Sequence, residues 1–381
     1  MYFERVEIHP AAVRLNKSIE GLANNFVRGL DSTLERFGLG GKKADYDDTN
    51  YVFEGGEGEA LRKKHYDKSL RLLWKAEQHA SWTGFRDCSQ DEIKLMSMTQ
   101  RTLSSEEKNA RTRILSRAFR EQLNQTYSPR QKQAIVNILS LIGHGEAYAW
   151  LVATELLNEV KSTGGRAALT MQVLEEAKHF VVMREIIQAF DCPIPRLNAW
   201  EYILLEKTFK AKGLEKFFGM NVVVEAVALS LFGLLSKMPG LEILTLFHRD
   251  EARHTALPAN YLKEFPLSRW DQVNPVKRAQ RLLMVTPALG VLLMMEDDLA
   301  ELGVDAFDFG GSLVHKILKL AERVGFYGPM PAIKIEALIN NLFNSYCKLT
   351  RSQYKYKDFM KSDTTVGEAE REIERELFGA N

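Results

Sequence analysis

Apolar residues recur every three or four positions along most of the chain, which is the period of an α-helix. Alternation of period two is scarce, and no Asn-Gly or Asp-Gly turn lies between β-branched runs, so strands are not predicted. The pattern therefore predicts an all-α protein. Its helices are predicted at about 14–36, 59–82, from Ser104 onward, 129–161, 166–190, 214–237, 241–265, 276–299, 307–324 and 333–355.

Glycine and proline pairs divide the middle of the chain into two helix pairs. Gly164-Gly165 and Pro239-Gly240 make tight breaks, and Cys192-Pro193 begins a longer connection between the pairs. Two hairpins linked in this way are typical of a four-helix bundle. We predict a single helical domain over 1–381, with a four-helix core at 129–265. Further helices are expected in 1–128, and helices with a charged tail in 266–381.

Two five-residue blocks, 175–179 and 250–254, repeat the pattern acid, Glu, Ala, base, His on the second and fourth of these core helices. In a helix, Glu-x-x-His puts a carboxylate and an imidazole on one face, one turn apart. A single glutamate, Glu146 or Glu225, lies in an apolar stretch of the helix before each block. The two halves have nearly equal spacing, which indicates an internal repeat of a hairpin.

All four glutamates lie on mainly apolar helix faces that should point into the core. A buried carboxylate is costly unless it is paired, protonated or bound to a metal. Four of them, with two imidazoles as the only basic partners on the same faces, would repel one another without cations. We therefore predict a pair of iron or manganese ions, with a structural polar network as the alternative. The predicted ligands are Glu146, Glu176, His179, Glu225, Glu251 and His254.

Residues beside the predicted ligands have supporting roles in this interpretation. Glu175 and Asp250 lie about 100° from the metal face, so we expect each to accept the free ring N–H of a histidine ligand on the other hairpin. Pairing with Arg253 or Lys178 is a second form of the same supporting role, and an ordinary solvated face is the alternative for both. His248 lies one turn before Glu251 and is interpreted as a core or supporting residue in preference to a seventh ligand.

Apolar residues that flank the ligands should exclude water and hold an organic substrate beside the metals. His144 lies about 160° round the helix from Glu146 and is not a predicted ligand. The predicted pocket residues are Leu139, Phe180, Met183, Phe218, Phe232 and Phe247.

Composition restricts the setting in which this site would work. Hydrophobic residues at 45% and charged residues at 27% are typical of a soluble globular protein. The net charge of +1 gives no reason to expect nucleic acid or an anionic membrane as a partner. Three widely spaced cysteines fit neither a disulfide framework nor a thiolate metal site, so a reducing cytoplasm is predicted. Polar residues and a proline interrupt the most apolar segments, 217–235 and 282–295, and no membrane span is predicted.

With these motifs in place, residues 139–258 resemble the ferritin-like di-iron carboxylate superfamily. The block at 250–254 is similar to the motif of bacterial multicomponent monooxygenase hydroxylases. Residues 73–93 are faintly similar to the N-terminal helices of those hydroxylases and of ribonucleotide reductase small subunits. The resemblance implies a ferritin-like four-helix bundle with flanking helices. It assigns the same six residues as ligands of two iron ions, or of one manganese and one iron.

Departures from the family pattern narrow the expected activity. Met183 stands where ribonucleotide reductase small subunits carry a radical tyrosine. Ala228 and Leu229 stand where acyl-carrier desaturases and multicomponent monooxygenases have a threonine. What remains is a stand-alone oxygenase or oxidase, a group that includes arylamine N-oxygenases. Some members have an extra histidine on the fourth helix, so a seventh ligand at His248 stays open.

The resemblance implies an O2-dependent oxidoreductase. Its expected substrate is a small, largely apolar organic molecule that would be hydroxylated, N-oxygenated, desaturated or oxidatively cleaved. No flavin or nicotinamide motif is visible, so a partner reductase or the substrate would supply electrons. A homodimer is expected. The alternatives are a non-catalytic metal-binding or ferroxidase protein, which the flanking helices disfavour, and a radical-generating subunit, which Met183 disfavours.

Overall fold

The computed structural model describes residues 4–39, 117–160, 163–260, 273–323, 325–326 and 328–362, together with Ser268 and Trp270. Within these ranges every regular element is a helix and none is a strand, which confirms the all-α prediction. The eleven helices of the described residues are α1 (Pro10–Arg36), α2 (Arg117–Thr126), α3 (Pro129–Glu159), α4 (Thr163–Ala189), α5 (Ala199–Lys210), α6 (Gly213–Leu235), α7 (Leu244–Asn260), α8 (Pro275–Met294), α9 (Glu296–Glu301), α10 (Ala306–Arg323) and α11 (Ala332–Thr350). A 3-10 turn follows at Phe359–Lys361.

The core of the protein is a bundle in which α3 packs along α4 and α6 packs along α7. Helix α3 begins at a capping box, because the Ser128 hydroxyl accepts from the Gln131 amide at 3.3 Å and the Gln131 side chain accepts from the Ser128 amide at 3.1 Å. Pro129 occupies the first helical position, where its missing N–H costs nothing. These local signals explain why the start of α3 was predicted to the residue.

Helix α5 corrects the sequence prediction, which gave residues 192–212 to a connection. Asn198 caps this helix by accepting a hydrogen bond from the Glu201 amide at 2.9 Å. The helix packs on α8, α3 and α1. Its contact with α8 is close: a Cβ at Gly290 would lie 2.4 Å from the Trp200 ring, so only glycine fits there.

A π-helical segment, Phe218–Val224, interrupts α6 immediately before Glu225, where a regular helix was predicted. The Glu225 amide donates to the Met220 carbonyl, five residues back instead of four. The wider turn advances the helix by one residue, which changes the faces on which the following side chains lie. Such segments are frequent at functional sites, and this one carries a predicted ligand at its end.

The remaining helices differ from the prediction mainly at their ends. The predicted helix 276–299 is two, α8 and α9, broken at Met295, and α11 ends at Thr350 instead of near 355. Pro258 lies inside α7, whose described part ends at Asn260. The helices predicted at 59–82 and from Ser104, and residues 363–381 of the charged tail, lie outside the described residues.

Helices α3 and α6 are long and apolar enough to cross a membrane by length and composition alone. Most of each is buried inside the protein, and the core helices of soluble proteins pass the same test. The cytoplasmic location therefore stays a prediction.

Candidate metal centre

The six predicted ligands converge at the centre of the bundle. Glu146 comes from α3 and Glu225 from α6, and each Glu-x-x-His pair comes from α4 or α7. Each of the six residues is at most 2% exposed to solvent. At this depth water cannot solvate the charged groups, so they must pair with one another, take up protons or bind a cation.

The donor atoms form two overlapping groups, in each of which all atoms lie within 4.8 Å of one another. Two carboxylates, Glu176 and Glu251, belong to both groups. Glu146 and His179 complete the first group, and Glu225 with His254 completes the second. Each buried group could hold a metal ion, with the shared carboxylates between the two positions.

Hydrogen bonds between the hairpins fix the orientation of both imidazoles. His179 on α4 lies with Nε2 3.1 Å from Asp250 Oδ2 on α7, and His254 on α7 lies with Nε2 2.8 Å from Glu175 Oε2 on α4. A carboxylate can only accept, so Nε2 carries the proton in each pair. The other ring nitrogen of each histidine is thereby directed into the carboxylate cluster.

Those inward nitrogens lie very close to carboxylate oxygens. His179 Nδ1 is 2.9 Å from Glu251 Oε1 and 3.1 Å from Glu146 Oε2, and His254 Nδ1 is 3.0 Å from Glu176 Oε1. A lone pair on Nδ1 would repel an oxygen at this distance. Either a proton or a cation must therefore lie between them.

The protonation equilibria of the cluster follow from this crowding. Burial alone would lower the pKa of His179 and of His254, but the neighbouring carboxylates raise both well above the ordinary value. Burial and nearby carboxylates raise the pKa of Glu146 and of Glu225 well above the ordinary value of a glutamate. The pKa of Glu176 is held well below its usual range, because the two imidazoles outweigh the effect of burial. The metal-free cluster therefore retains protons that a metal ion would displace.

The residues fit a metal on two further grounds. Glu146 Oε1 is buried and has no hydrogen-bond partner among the described residues, an arrangement that is costly unless a cation occupies the space. The donor set of four carboxylates and two imidazoles suits iron and manganese and contains no thiolate.

Glu175 and Asp250 also pair with Arg253, so the two roles considered for these acids occur together. Arg253 Nη2 is 2.8 Å from Glu175 Oε1 and also bonds to Asp250. Lys178 Nζ lies 3.5 Å from Asp250 Oδ2. The bases hold the acids in place, and in turn the acids hold the rings of the histidines on the opposite hairpin.

Two residues of the site were missed by sequence reasoning, Gln172 and Asn221. Gln172 Nε2 lies 3.1 Å from Glu176 Oε1 and 3.3 Å from Glu225 Oε1. Asn221 Nδ2 donates to Gln172 Oε1 at 3.0 Å and to the His254 carbonyl at 3.1 Å. Each lies four residues before a predicted ligand, and a polar side chain at that place on an apolar face was the signal available.

His248 is not part of either donor group. Its Nδ1 lies 2.8 Å from the Leu229 carbonyl on α6, and its ring fills the space that a Cβ at Gly233 would occupy. Burial lowers the pKa of His248 to about 4, so the ring is neutral at ordinary pH. The structure places His248 in the packing between α6 and α7.

The six predicted pocket residues are all buried in the hydrophobic core. Phe247 stacks on the His179 ring with centroids 4.4 Å apart, and Phe232 meets that ring edge-on at 6.3 Å. Phe218 stacks instead on Phe326, at 3.7 Å. Phe232 and Phe247 therefore hold an imidazole in place. Contact of any of the six with a substrate stays a prediction.

Helix α5 adds two buried carboxylates that the sequence prediction did not include. Glu201 Oε1 lies 3.3 Å from His144 Nδ1, and Glu206 Oε1 accepts from the Tyr148 hydroxyl at 2.8 Å. His144 thus turns away from the donor cluster, as its angle from Glu146 indicated.

No family model, curated protein or solved structure matches this chain. The residues and their geometry are therefore the ground on which its class is inferred. At that level the chain is an all-helical protein with buried Glu/His clusters at its core that could hold a metal ion.

Proposed function

We propose that this protein is a member of the ferritin-like di-iron carboxylate superfamily and an O2-dependent oxidoreductase. The observation that carries the proposal is the pair of donor groups that share Glu176 and Glu251. Four helices that each contribute a glutamate, two of them with Glu-x-x-His, are the arrangement found in di-iron and di-manganese carboxylate proteins. Two iron ions, or a manganese and an iron, are the proposed cofactor.

The six side chains would hold the metals, with one imidazole for each ion and two carboxylates available to both. When bound in reduced form, the two metal ions would supply electrons for the reduction of O2. Asp250 and Glu175 keep each histidine proton on Nε2 and so leave Nδ1 as the donor to the metal. Phe247 and Phe232 shield the His179 side of the centre from water.

We propose a small, largely apolar organic substrate that is hydroxylated, N-oxygenated, desaturated or oxidatively cleaved. The support for catalysis over storage is the structure around the bundle: α5, α8 and α10 pack outside the core helices and line a cavity beside them. An electron-donor reductase, a homodimer and a cytoplasmic location are expectations attached to this proposal.

The test is metal content and O2 uptake of Fe(II)-loaded protein, in the wild type and in Glu251→Ala. We expect about two metal ions per chain and O2 uptake in the wild type, and loss of both in the variant, because Glu251 belongs to both donor groups. Glu322→Ala, which removes an exposed glutamate on α10, is the matched control. A folded wild type that binds no metal would overturn the proposal. Deposition of many irons per chain would replace it with storage.

A further inference from the structure

Two adjoining cavities lie beside the four core helices. The outer cavity, of about 770 Å³, lies between α1, α3, α8 and α9. The inner cavity, of about 40 Å³, is lined by α3, α5, α6, α8 and α10. Leu141, Glu201 and Met295 line both, so the two spaces meet at these side chains.

The inner cavity lies at the level of the metal centre. Its lining includes Gly145, the neighbour of Glu146, and Ile142, one turn earlier on the same helix. It also includes Val224, the neighbour of Glu225, and Ala228, almost one turn later on α6. The cavity therefore adjoins α3 and α6, which supply Glu146 and Glu225. Each of these two glutamates belongs to only one donor group.

The chemistry of the inner wall is that of an aliphatic binding site. Among the described residues that line it, Phe309 is the only ring and Glu201 the only charged group, and the others are Leu, Ile, Val, Ala, Gly and Met. A cavity needs about 10–15 Å³ on this measure to hold one water, so about 40 Å³ admits roughly three or four atoms of that size. The space fits the end of a short carbon chain.

The junction between the cavities is polar and buried. Glu201 is 4% exposed and lies 3.3 Å from His144 Nδ1. Burial raises the pKa of Glu201, and His144 opposes that effect. A molecule that spans both cavities must pass this pair, which separates an aliphatic space from a hydrogen-bonding one.

Most acids of the outer cavity already have partners. Glu296 accepts from Asn16 and Tyr346, at 3.2 and 2.7 Å. Asp298 accepts from Asn137 at 3.0 Å. Arg5 holds Asp297 and Glu301.

Four basic residues, Arg14, Lys17, Arg130 and Arg196, line the same cavity at its exposed side. Glu20 also lines the exposed side of the cavity. Among the lining acids at that side, it is the one that has none of the hydrogen-bond or ion-pair partners named in the preceding paragraph. Hydrogen bonds from neutral groups do not cancel a carboxylate charge, but burial raises the pKa of Glu296 and raises that of Asp298 to about 7, which reduces the negative charge on both. Three of the four bases, Arg14, Arg130 and Arg196, have no ion pair among the described residues, so the exposed side of the cavity favours an anionic group.

We propose that the two cavities form the substrate site, and that the substrate is an amphipathic molecule with a short aliphatic end and an anionic head. The aliphatic end lies in the inner cavity beside Glu146 and Glu225, and the head lies among the basic residues of the outer cavity. The role as substrate rests on the proposed function, whereas binding itself does not need a metal.

Calorimetry with octanoate, octylamine and octanol tests the binding in metal-free and metal-loaded protein. We expect octanoate to bind tightest in both. Ala288→Leu fills the inner cavity from α8 and should weaken octanoate binding at least tenfold. Ala228→Phe fills the cavity from α6 and, if it folds, should weaken octanoate binding to the same extent. Ala337→Phe enlarges an exposed alanine on α11 and should change nothing. Arg130→Glu should weaken the binding of octanoate severalfold and leave the affinity for octanol unchanged.

Proton line broadening of octanoate by Mn(II)-loaded protein tests the orientation. The terminal methyl should broaden more than the methylene beside the carboxylate, because the chain end lies nearer to the metals. Equal affinity of octanoate for Ala288→Leu and Ala337→Phe, tighter binding of octylamine, or the reverse broadening pattern would overturn the inference. Absence of metal binding with normal octanoate binding would overturn the proposed function alone.

Discussion

At the scale of single residues, the protonation of two imidazoles decides whether the core can bind metal. Asp250 and Glu175 fix a proton on Nε2 of the histidine across the hairpin interface, so Nδ1 is the nitrogen that points inward, where a metal ion would displace its proton. Neither acid has an oxygen in the donor groups, yet each controls a donor. Such partners usually matter to affinity almost as much as the ligands do.

Asp250→Asn should weaken metal binding by about 10-fold to 100-fold, because a neutral amide holds the His179 N–H less strongly and can turn its NH2 toward the ring. Glu175→Gln should have a similar effect through His254. Affinity is measured by competition with a chromogenic chelator. Glu185→Gln, on the same helix as Glu175, serves as the control and should leave affinity unchanged. Equal affinities for all four proteins would contradict this role.

His248 makes the free energy of unfolding depend on pH, in a direction that follows from its pKa. Its pKa is about 4 in the folded protein and about 6.5 in an unfolded chain, so the unfolded state binds more protons between those values. The stability that His248 contributes is therefore present above about pH 6.5 and is lost as pH falls toward 4. In urea unfolding, His248→Gln should lose less stability than the wild type between pH 7 and pH 5. The variant should also keep full metal content, and loss of metal would restore His248 as a ligand.

At the scale of elements, local signals determined what sequence could predict. Helix α3 has a capping box and an initial proline within four residues, and α3, α4, α6 and α7 have long apolar faces. Helix α5 has no such face, because Glu201 and Glu206 are buried only by pairing with His144 and Tyr148 on another helix. The π-helical segment of α6 leaves no mark in the spacing of its apolar residues.

The same limit applies to the candidate site. The six ligands could be found because a carboxylate on an apolar helix face is conspicuous in sequence. The cavities could not, because their walls combine α3 and α6 with α5, α8 and α10, whose positions depend on tertiary packing. The residues predicted to form a pocket flank the ligands on the same faces. Those six residues are buried in the hydrophobic core, and their contact with a substrate stays a prediction.

Asn221 should be important for the stability of the π-helical segment of α6. Asn221→Ala leaves the Gln172 side-chain oxygen and the His254 carbonyl without this donor in a buried place. We expect a loss of about 1–3 kcal/mol in the free energy of unfolding, measured by urea denaturation. Asn158→Ala, on the exposed side of α3, should cost much less. Similar losses for the two variants would mean that the network does not stabilise the segment.

At the scale of the whole molecule, the charge of the centre links metal binding to pH. The metal-free cluster retains protons on His179 and His254, whose pKa values are well above the ordinary one, and metal ions must displace them. Metal affinity should therefore fall as pH falls from 8 to 6, with more than one proton released per chain on binding. Calorimetry in buffers of different ionisation enthalpy counts those protons. Glu322→Ala should behave as the wild type, and an affinity independent of pH would contradict the displacement.

Metal removal should destabilise the whole bundle, because the ligands come from four helices and bind together only when all four are in place. A ligand that binds only the folded state stabilises it by about 2.7 kcal/mol at a concentration 100 times its dissociation constant. We expect a clear rise in the melting temperature of metal-free protein when Mn(II) or anaerobic Fe(II) is added, and none with Mg(II), which prefers oxygen donors and retains its water. Glu176→Ala and Glu251→Ala each remove a carboxylate common to both donor groups, so both variants should melt at a temperature independent of metal. A wild type that melts at the same temperature with and without metal, while His248→Gln and Glu322→Ala do likewise, would show that the buried cluster is held together by protons alone.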